Sequence, residues 1–134
     1  MKKQKVYLDM DGTIADLYGQ QNWLQKLHAE TVGLFSSCDA FITESELLSL
    51  FPQDNYEIAI LSMTPKNASK EYCAQVIKEK NEWLDKNFPS ITKRIFKPYG
   101  YNKNLKNSKN AILVNDNETI RNNFKGLAYS PMWL

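Results

Sequence analysis

The chain is poor in the residues that build soft-metal and thiol chemistry. It has one histidine, His28, and two cysteines, Cys38 and Cys73, among 134 residues. Neither cysteine belongs to a Cys-x-x-Cys pair, which argues against a thiolate zinc site. Both are expected to be free buried thiols of a reducing compartment. His28 is far from either in sequence and is expected to be an ordinary surface or core residue rather than a base. Long apolar runs are also lacking. No stretch approaches the roughly 20 residues of a membrane helix, so no membrane partner is expected. The amino terminus, "MKKQKVYLDMDG", lacks the apolar region and cleavage site of a signal peptide, so a cytoplasmic protein is expected. A net charge of +2 is too small to indicate a nucleic-acid partner. There is no internal repeat, and 134 residues suit one core. No feature of the sequence specifies an oligomeric state.

What is present is a set of three short apolar runs: "VYL" (6–8), "IAIL" (58–61) and "AILV" (111–114). Nearly continuous runs of this length suit strands covered on both faces. Each is followed at once by a polar residue: Asp9, Ser62, and Asn115 with Asp116. In a parallel sheet all carboxyl ends lie on one edge, where ligands bind. If the runs are neighbours, their oxygens converge. Between the second and third, Tyr72, Val76, Ile77, Trp83, Leu84 and Phe88 fall on one face of a helix about five turns long. Pro89 closes it. Such a helix suits a right-handed crossover. "RIF" (94–96) and "LAY" (127–129) are candidate minor strands, and Glu118 to Phe124 a short helix. The spacing predicts an α/β fold with a parallel sheet flanked by helices.

Residues 17–55 show no clear strand. Trp23, Leu24 and Leu27 suggest one helix. "TESELLSLF" (43–51) suggests another, with Thr43 and Glu46 forming a capping box. The division expected is a core of 1–16 and 56–134, with 17–55 a small helical cap inserted after the first strand. "GYNKNLKNSKN" (100–110) reads as a loop.

The chemistry follows from spacing. Asp9 and Asp11 stand where a strand runs out, and Gly12 permits the bend between them and the rest of the loop. Asp116 arrives from another strand end. Three crowded acids call for a cation. Oxygen ligands without His or Cys favour Mg²⁺, which takes one or two carboxylates and keeps waters and substrate phosphate. Plainer roles are also open: Asp9 and Asp11 as cap and turn residues, Ser62 as a helix cap, Asp116 as a loop acid. Asp16 reads as a helix N-terminal acid. The basic residues from 93 to 109 read as a solvated face, and Trp23, Phe35 and Phe41 as packing within the insert.

"DMDGT" resembles the first motif, DxDGT, of the haloacid dehalogenase superfamily. Ser62 after "IAIL" resembles its second motif, and "VNDN" (114–117) its fourth. Lys103 in "PYGYNK" is the choice for the third, with Lys106 next and Lys97 and Lys109 also nearby. The resemblance implies a Rossmann-like fold and a phosphatase. Asp9 would be the nucleophile that becomes an aspartyl phosphate. Asp11 would be general acid, then base. Mg²⁺ would be held by the Asp9 and Asp116 carboxylates and the Asp11 carbonyl. Gly12, Thr13, Ser62, Met63 and Lys103 would bind the phosphoryl group. One departure concerns Asn115, where the family often carries an acid. As an outer-shell residue, Asn115 would weaken the metal's hold.

The insert, "SMTPK" (62–66) and "EKNEWLDKNFP" (79–89) also resemble the 5'(3')-deoxyribonucleotidase branch, in which the insert shapes a nucleoside pocket. Here it is short for that branch, and small phage and bacterial members are the nearest in size. The substrate implied is a small phosphate ester, foremost a deoxynucleoside or nucleoside monophosphate. Alternatives are another small phosphate ester, a nucleic-acid 3' end, or a non-catalytic binding protein on the same scaffold.

Overall fold

Five short strands run in one direction and form the centre of the molecule. The computed structural model describes residues 2–101, 103–105 and 108–134. The strands are β1 (Gln4–Leu8), β4 (Tyr56–Met63), β5 (Arg94–Lys97), β6 (Ile112–Val114) and β7 (Leu127–Tyr129). Their spatial order is β5-β4-β1-β6-β7, and every pairing is parallel. Counted within the sheet alone this is the order 3-2-1-4-5, a Rossmann-like arrangement whose order reverses beside β1. The three apolar runs are therefore adjacent, with β1 between the other two.

Alternation sorts their side chains. Val6 and Leu8, Ile58 and Ile60, and Ile112 and Val114 join one apolar cluster. Tyr7, Ala59, Leu61 and Leu113 join the other, on the opposite face. The first face is covered by α3 (Lys70–Asn87), whose Tyr72, Val76, Trp83 and Leu84 are buried against it. The second is covered by α4 (Glu118–Asn123) through Ile120, and by Phe124 and Leu105.

The insert is not purely helical. It holds α1 (Trp23–His28) and α2 (Glu44–Leu50), and the Thr43–Glu46 capping box is formed. Before and between them, β2 (Ala15–Asp16) pairs antiparallel with β3 (Asp39–Ala40). Two residues a side give too short an alternation to be read from sequence. Asp16 accordingly sits in this ribbon, not at a helix start, and accepts a hydrogen bond from the Gly19 amide at 2.8 Å.

One face of α3 fastens the insert. The N-cap Ser69 donates to Glu30 at 2.6 Å, and the Tyr72 hydroxyl donates to the Thr31 carbonyl at 2.8 Å. Glu79 accepts from the Gly33, Phe35 and Ser36 amides at 2.9, 3.0 and 3.3 Å. Trp83 Nε1 donates to the Cys38 carbonyl at 2.7 Å. Leu34, Phe35, Ile42, Leu47 and Phe51 of the insert share the α3 apolar cluster. Among the described residues no helix is long and apolar enough to cross a membrane.

Glu79 is buried and acts as a shared acceptor for a loop with no ladder of its own. Its replacement by Ala strands those amides, and each lost bond to a charged acceptor is worth about 1.5–3 kcal/mol. Glu79→Ala should lower unfolding free energy by about 3 kcal/mol in denaturant titration. Hydrogen exchange at Gly33, Phe35 and Ser36 should rise well before exchange in β1 and β4. Uniform protection across the insert would count against this anchoring.

Candidate active site

Register brings the strand ends level. Leu8 pairs with both Ile60 and Val114, so Asp9 and Asn115 leave the sheet side by side, and the Asp9 amide donates to the Val114 carbonyl at 2.9 Å. This is the point at which the strand order reverses. The chain then turns tightly. The Met10 carbonyl accepts from the amides of Thr13, Ile14 and Ala15 at 3.2, 3.0 and 2.9 Å. Gly12 sits at φ +81, and a Cβ there would strike the Asp116 carboxylate and the Tyr18 ring. Its amide donates to the Ala15 carbonyl at 2.8 Å and so is occupied within the turn.

Asp9 is held at both oxygens. Lys103 Nζ lies 2.5 Å from Oδ1, and the Thr13 hydroxyl donates to Oδ2 at 3.0 Å. Lys103 is 0% exposed and has a left-handed backbone at φ +63, a conformation uncommon outside glycine and asparagine. Leu105, two residues on, packs on the same sheet face as Tyr7, so the loop crosses the sheet edge on that side. Lys106 lies outside the described residues. Thr13 is fully buried. Its oxygen also accepts from the Asp116 amide at 3.1 Å and lies 3.4 Å from Asp116 Oδ1. Thr13 thus joins the two acids rather than facing the cleft. Its carbonyl accepts from Trp133 Nε1 at 3.0 Å, which pins the turn from the carboxyl-terminal segment.

Asp11 points elsewhere. Its Oδ2 accepts from Lys80 Nζ at 2.8 Å, and Oδ1 is buried with no protein partner. Burial pushes its carboxyl above the usual carboxylate range, with the neighbouring Lys80 charge pulling the other way. The same ammonium donates to Ser62 Oγ at 2.8 Å and to the Met63 carbonyl at 3.0 Å. Ser62 lies inside β4, opposite Phe96, not beyond its end. Alternation with Ile58 and Ile60 turns it to the α3 face.

Asp116 stands at the cleft rim. Partial burial of its carboxyl, then the Asp9 carboxylate, push it up to about 7, against a lowering by its own backbone hydrogen bond and Lys103. Two adjacent carboxylates, one of them reluctant to ionise, form a donor set that Mg²⁺ suits. Among the described residues no group of three or more His, Cys, Asp or Glu side chains is arranged to hold a metal. The Asp11 side chain is engaged by Lys80, which leaves its carbonyl for such a role. Asn115 is 1% exposed; its Oδ1 accepts from the Asn117 amide at 2.9 Å, and its Nδ2 donor is buried without a partner.

These groups open onto a cleft of about 580 Å³. Asp9, Asp11 and Asn115 form its floor, with Met63 beside them and Asp116 at the rim. Tyr18, Trp23 and Phe35 form a wall on the insert side, Tyr18 and Trp23 meeting edge to face at 4.7 Å. Lys66, Tyr99 and the exposed His28 lie toward its mouth. Phe41 is half exposed and lies outside it. Cys38 is buried, and its thiol is pushed up to about 12, chiefly by burial. Cys73 is partly exposed, because it falls at the edge of the α3 apolar stripe.

Sequence reasoning assigned no role to Lys80, Glu79 or Trp133. A signal for the first two was present. Positions 76, 79, 80, 83 and 84 follow the spacing of a buried helix stripe, and two of them are charged. A charged residue there must find a partner inside. Nothing comparable marks Trp133.

Fold and site together define a class: a Rossmann-like α/β protein with an acid-lined cleft at the carboxyl edge of its sheet, two of whose acids are paired with buried lysines. Beyond that class, no protein-family model matches the chain, and no curated protein matches it.

The raised Asp116 pKa has a definite sign in stability. The folded state holds its proton up to about 7, whereas the ordinary value is 3.8. Between those values folding binds a proton, so stability falls as pH rises. In chelator, the melting temperature relative to Asp116→Asn should drop from about pH 4 to about pH 7 and then level off. A flat difference across that range would contradict the arrangement.

Proposed function

We propose that this chain is a Mg²⁺-dependent phosphomonoesterase of the haloacid dehalogenase type, acting on nucleoside monophosphates. The observation that carries the reading is Asp9. Its carboxylate is fixed by Lys103 and Thr13 at the floor of an open cleft, as a carboxylate nucleophile requires. An Asp9 oxygen attacks phosphorus, and the bond to the ester oxygen breaks. Asp11 gives its proton to the departing oxygen, and the raised Asp11 pKa supports that assignment. Asp11 then takes a proton from water, whose oxygen attacks the aspartyl phosphate and releases inorganic phosphate with Asp9 restored. Met63 borders the transferring group, whereas Lys103 acts through Asp9 and the buried Ser62 lies behind the cleft lining. Gly12 and Thr13 contribute by shaping the turn and holding the acids. Mg²⁺, held by the Asp9 and Asp116 carboxylates and the Asp11 carbonyl, would supply charge that offsets repulsion between nucleophile and phosphate.

The aromatic wall of Tyr18, Trp23 and Phe35 favours a flat, partly apolar leaving group, which fits a nucleoside. The free thiols fit a cytoplasmic setting.

Phosphate release should be measured over nucleoside monophosphates and sugar phosphates, with and without Mg²⁺. Release should require Mg²⁺ and favour nucleotides, and Asp9→Asn should abolish it while retaining native circular dichroism. Undiminished turnover by Asp9→Asn would end the mechanism, and a strong preference for sugar phosphates would end the nucleotide reading. Asn115→Asp should lower the Mg²⁺ concentration giving half-maximal rate several-fold, because it adds a carboxylate beside Asp116. An unchanged Mg²⁺ requirement would show that position 115 does not govern the metal's hold.

A further inference from the structure

We propose that Lys80 is the positioning residue of the acid–base step: it fixes Asp11 and Ser62 relative to each other and never itself touches the substrate. The inference rests on the phosphatase reading above. Lys80 is 1% exposed, and its ammonium donates to Asp11 Oδ2, Ser62 Oγ and the Met63 carbonyl at 2.8, 2.8 and 3.0 Å. An ammonium has three donors and no acceptor, so all three are occupied. Lys80 therefore differs from Lys103, which contacts the attacking carboxylate directly.

Two consequences follow for the groups it holds. With Oδ2 anchored, the partnerless Oδ1 is the Asp11 oxygen left to carry the proton to the leaving group. With an oxygen lone pair of Ser62 taken by Lys80, the Ser62 hydroxyl keeps its own proton to donate. The seat of the ammonium is braced from the insert. The Phe35 ring lies 5.1 Å from Nζ, and the Phe35 amide is bound by Glu79, the residue preceding Lys80. One turn of α3 thus sets the insert wall and the acid together. Arginine could not replace Lys80, because its planar fork cannot direct three donors around one point.

The test compares kcat/KM for a series of aryl phosphates, from p-nitrophenyl phosphate to phenyl phosphate, in Mg²⁺. A good leaving group departs without a proton, and a poor one needs it. Lys80→Met should lower kcat/KM on phenyl phosphate by on the order of 10²-fold, the usual worth of a general acid, and on p-nitrophenyl phosphate only a few-fold. A uniform loss across the series, or none, overturns the proposal. In an Asp11→Asn background the further change Lys80→Met should leave the leaving-group dependence where Asp11→Asn put it. Additional steepening overturns the proposal as well. That double variant also removes both buried charges, so it reports if the single variant fails to fold. Inactivity of the unaltered protein on every ester overturns the phosphatase reading and this inference with it. An active protein with a uniform Lys80→Met loss overturns this inference alone.

Discussion

Parallel pairing of β1 with both β4 and β6 is the constraint on which the rest depends. It places the carboxyl ends of three strands at one edge and one level, with Leu8 opposite Ile60 and Val114. A slip of β1 by one residue would turn Asp9 the other way and exchange Val6 and Leu8 with Tyr7 between two differently shaped apolar faces. The apolar core and the candidate site are therefore held by the same register. Burial of the alternating aliphatics enforces the geometry of the acids.

The two faces of the sheet treat the two acids differently. Lys103 comes from the loop on the Tyr7 face and neutralises Asp9. Lys80 comes from α3 on the Ile60 face and meets Asp11 and Ser62. Each lysine is buried, and each has a carboxylate within hydrogen-bonding distance. Removing one partner of a buried pair generally costs about 3–5 kcal/mol, so each pair also ties its segment to the sheet. The arrangement separates like charges that the local sequence, Asp-Met-Asp, would otherwise crowd. The Asp116 carboxyl is pushed up by partial burial and then by its neighbour Asp9, with Lys103 acting the other way.

The helix α3 links this chemistry to the insert. Ser69, Tyr72, Glu79 and Trp83 lie along one face and bind main-chain or side-chain groups from Glu30 to Cys38. Lys80 lies beside them and reaches the other way, to the strand ends. A rigid rod of this kind fixes the distance between the cleft wall and the floor. It explains how a short insert with two small helices and a two-residue ribbon keeps a defined position.

The sequence by itself determined the five strands of the main sheet, the long helix, the capping box and the acids at the ends of β1 and β6, because these rest on local periodicity and on chain order. Apolar runs of three or four residues and a 3.6-residue stripe report burial without any knowledge of what does the burying. It also marked Asp9, Asp11, Asp116 and Lys103, through the spacing of acids and a family-like order of motifs. Only the tertiary structure decided what each side chain faces. That Thr13 joins Asp9 to Asp116, that Trp133 pins the turn, and that Ser62 lies within β4 under Lys80 all depend on contacts between residues far apart in the chain. Hydrogen-bond partners are chosen by position and direction in space, and the sequence carries that information only through the complete fold.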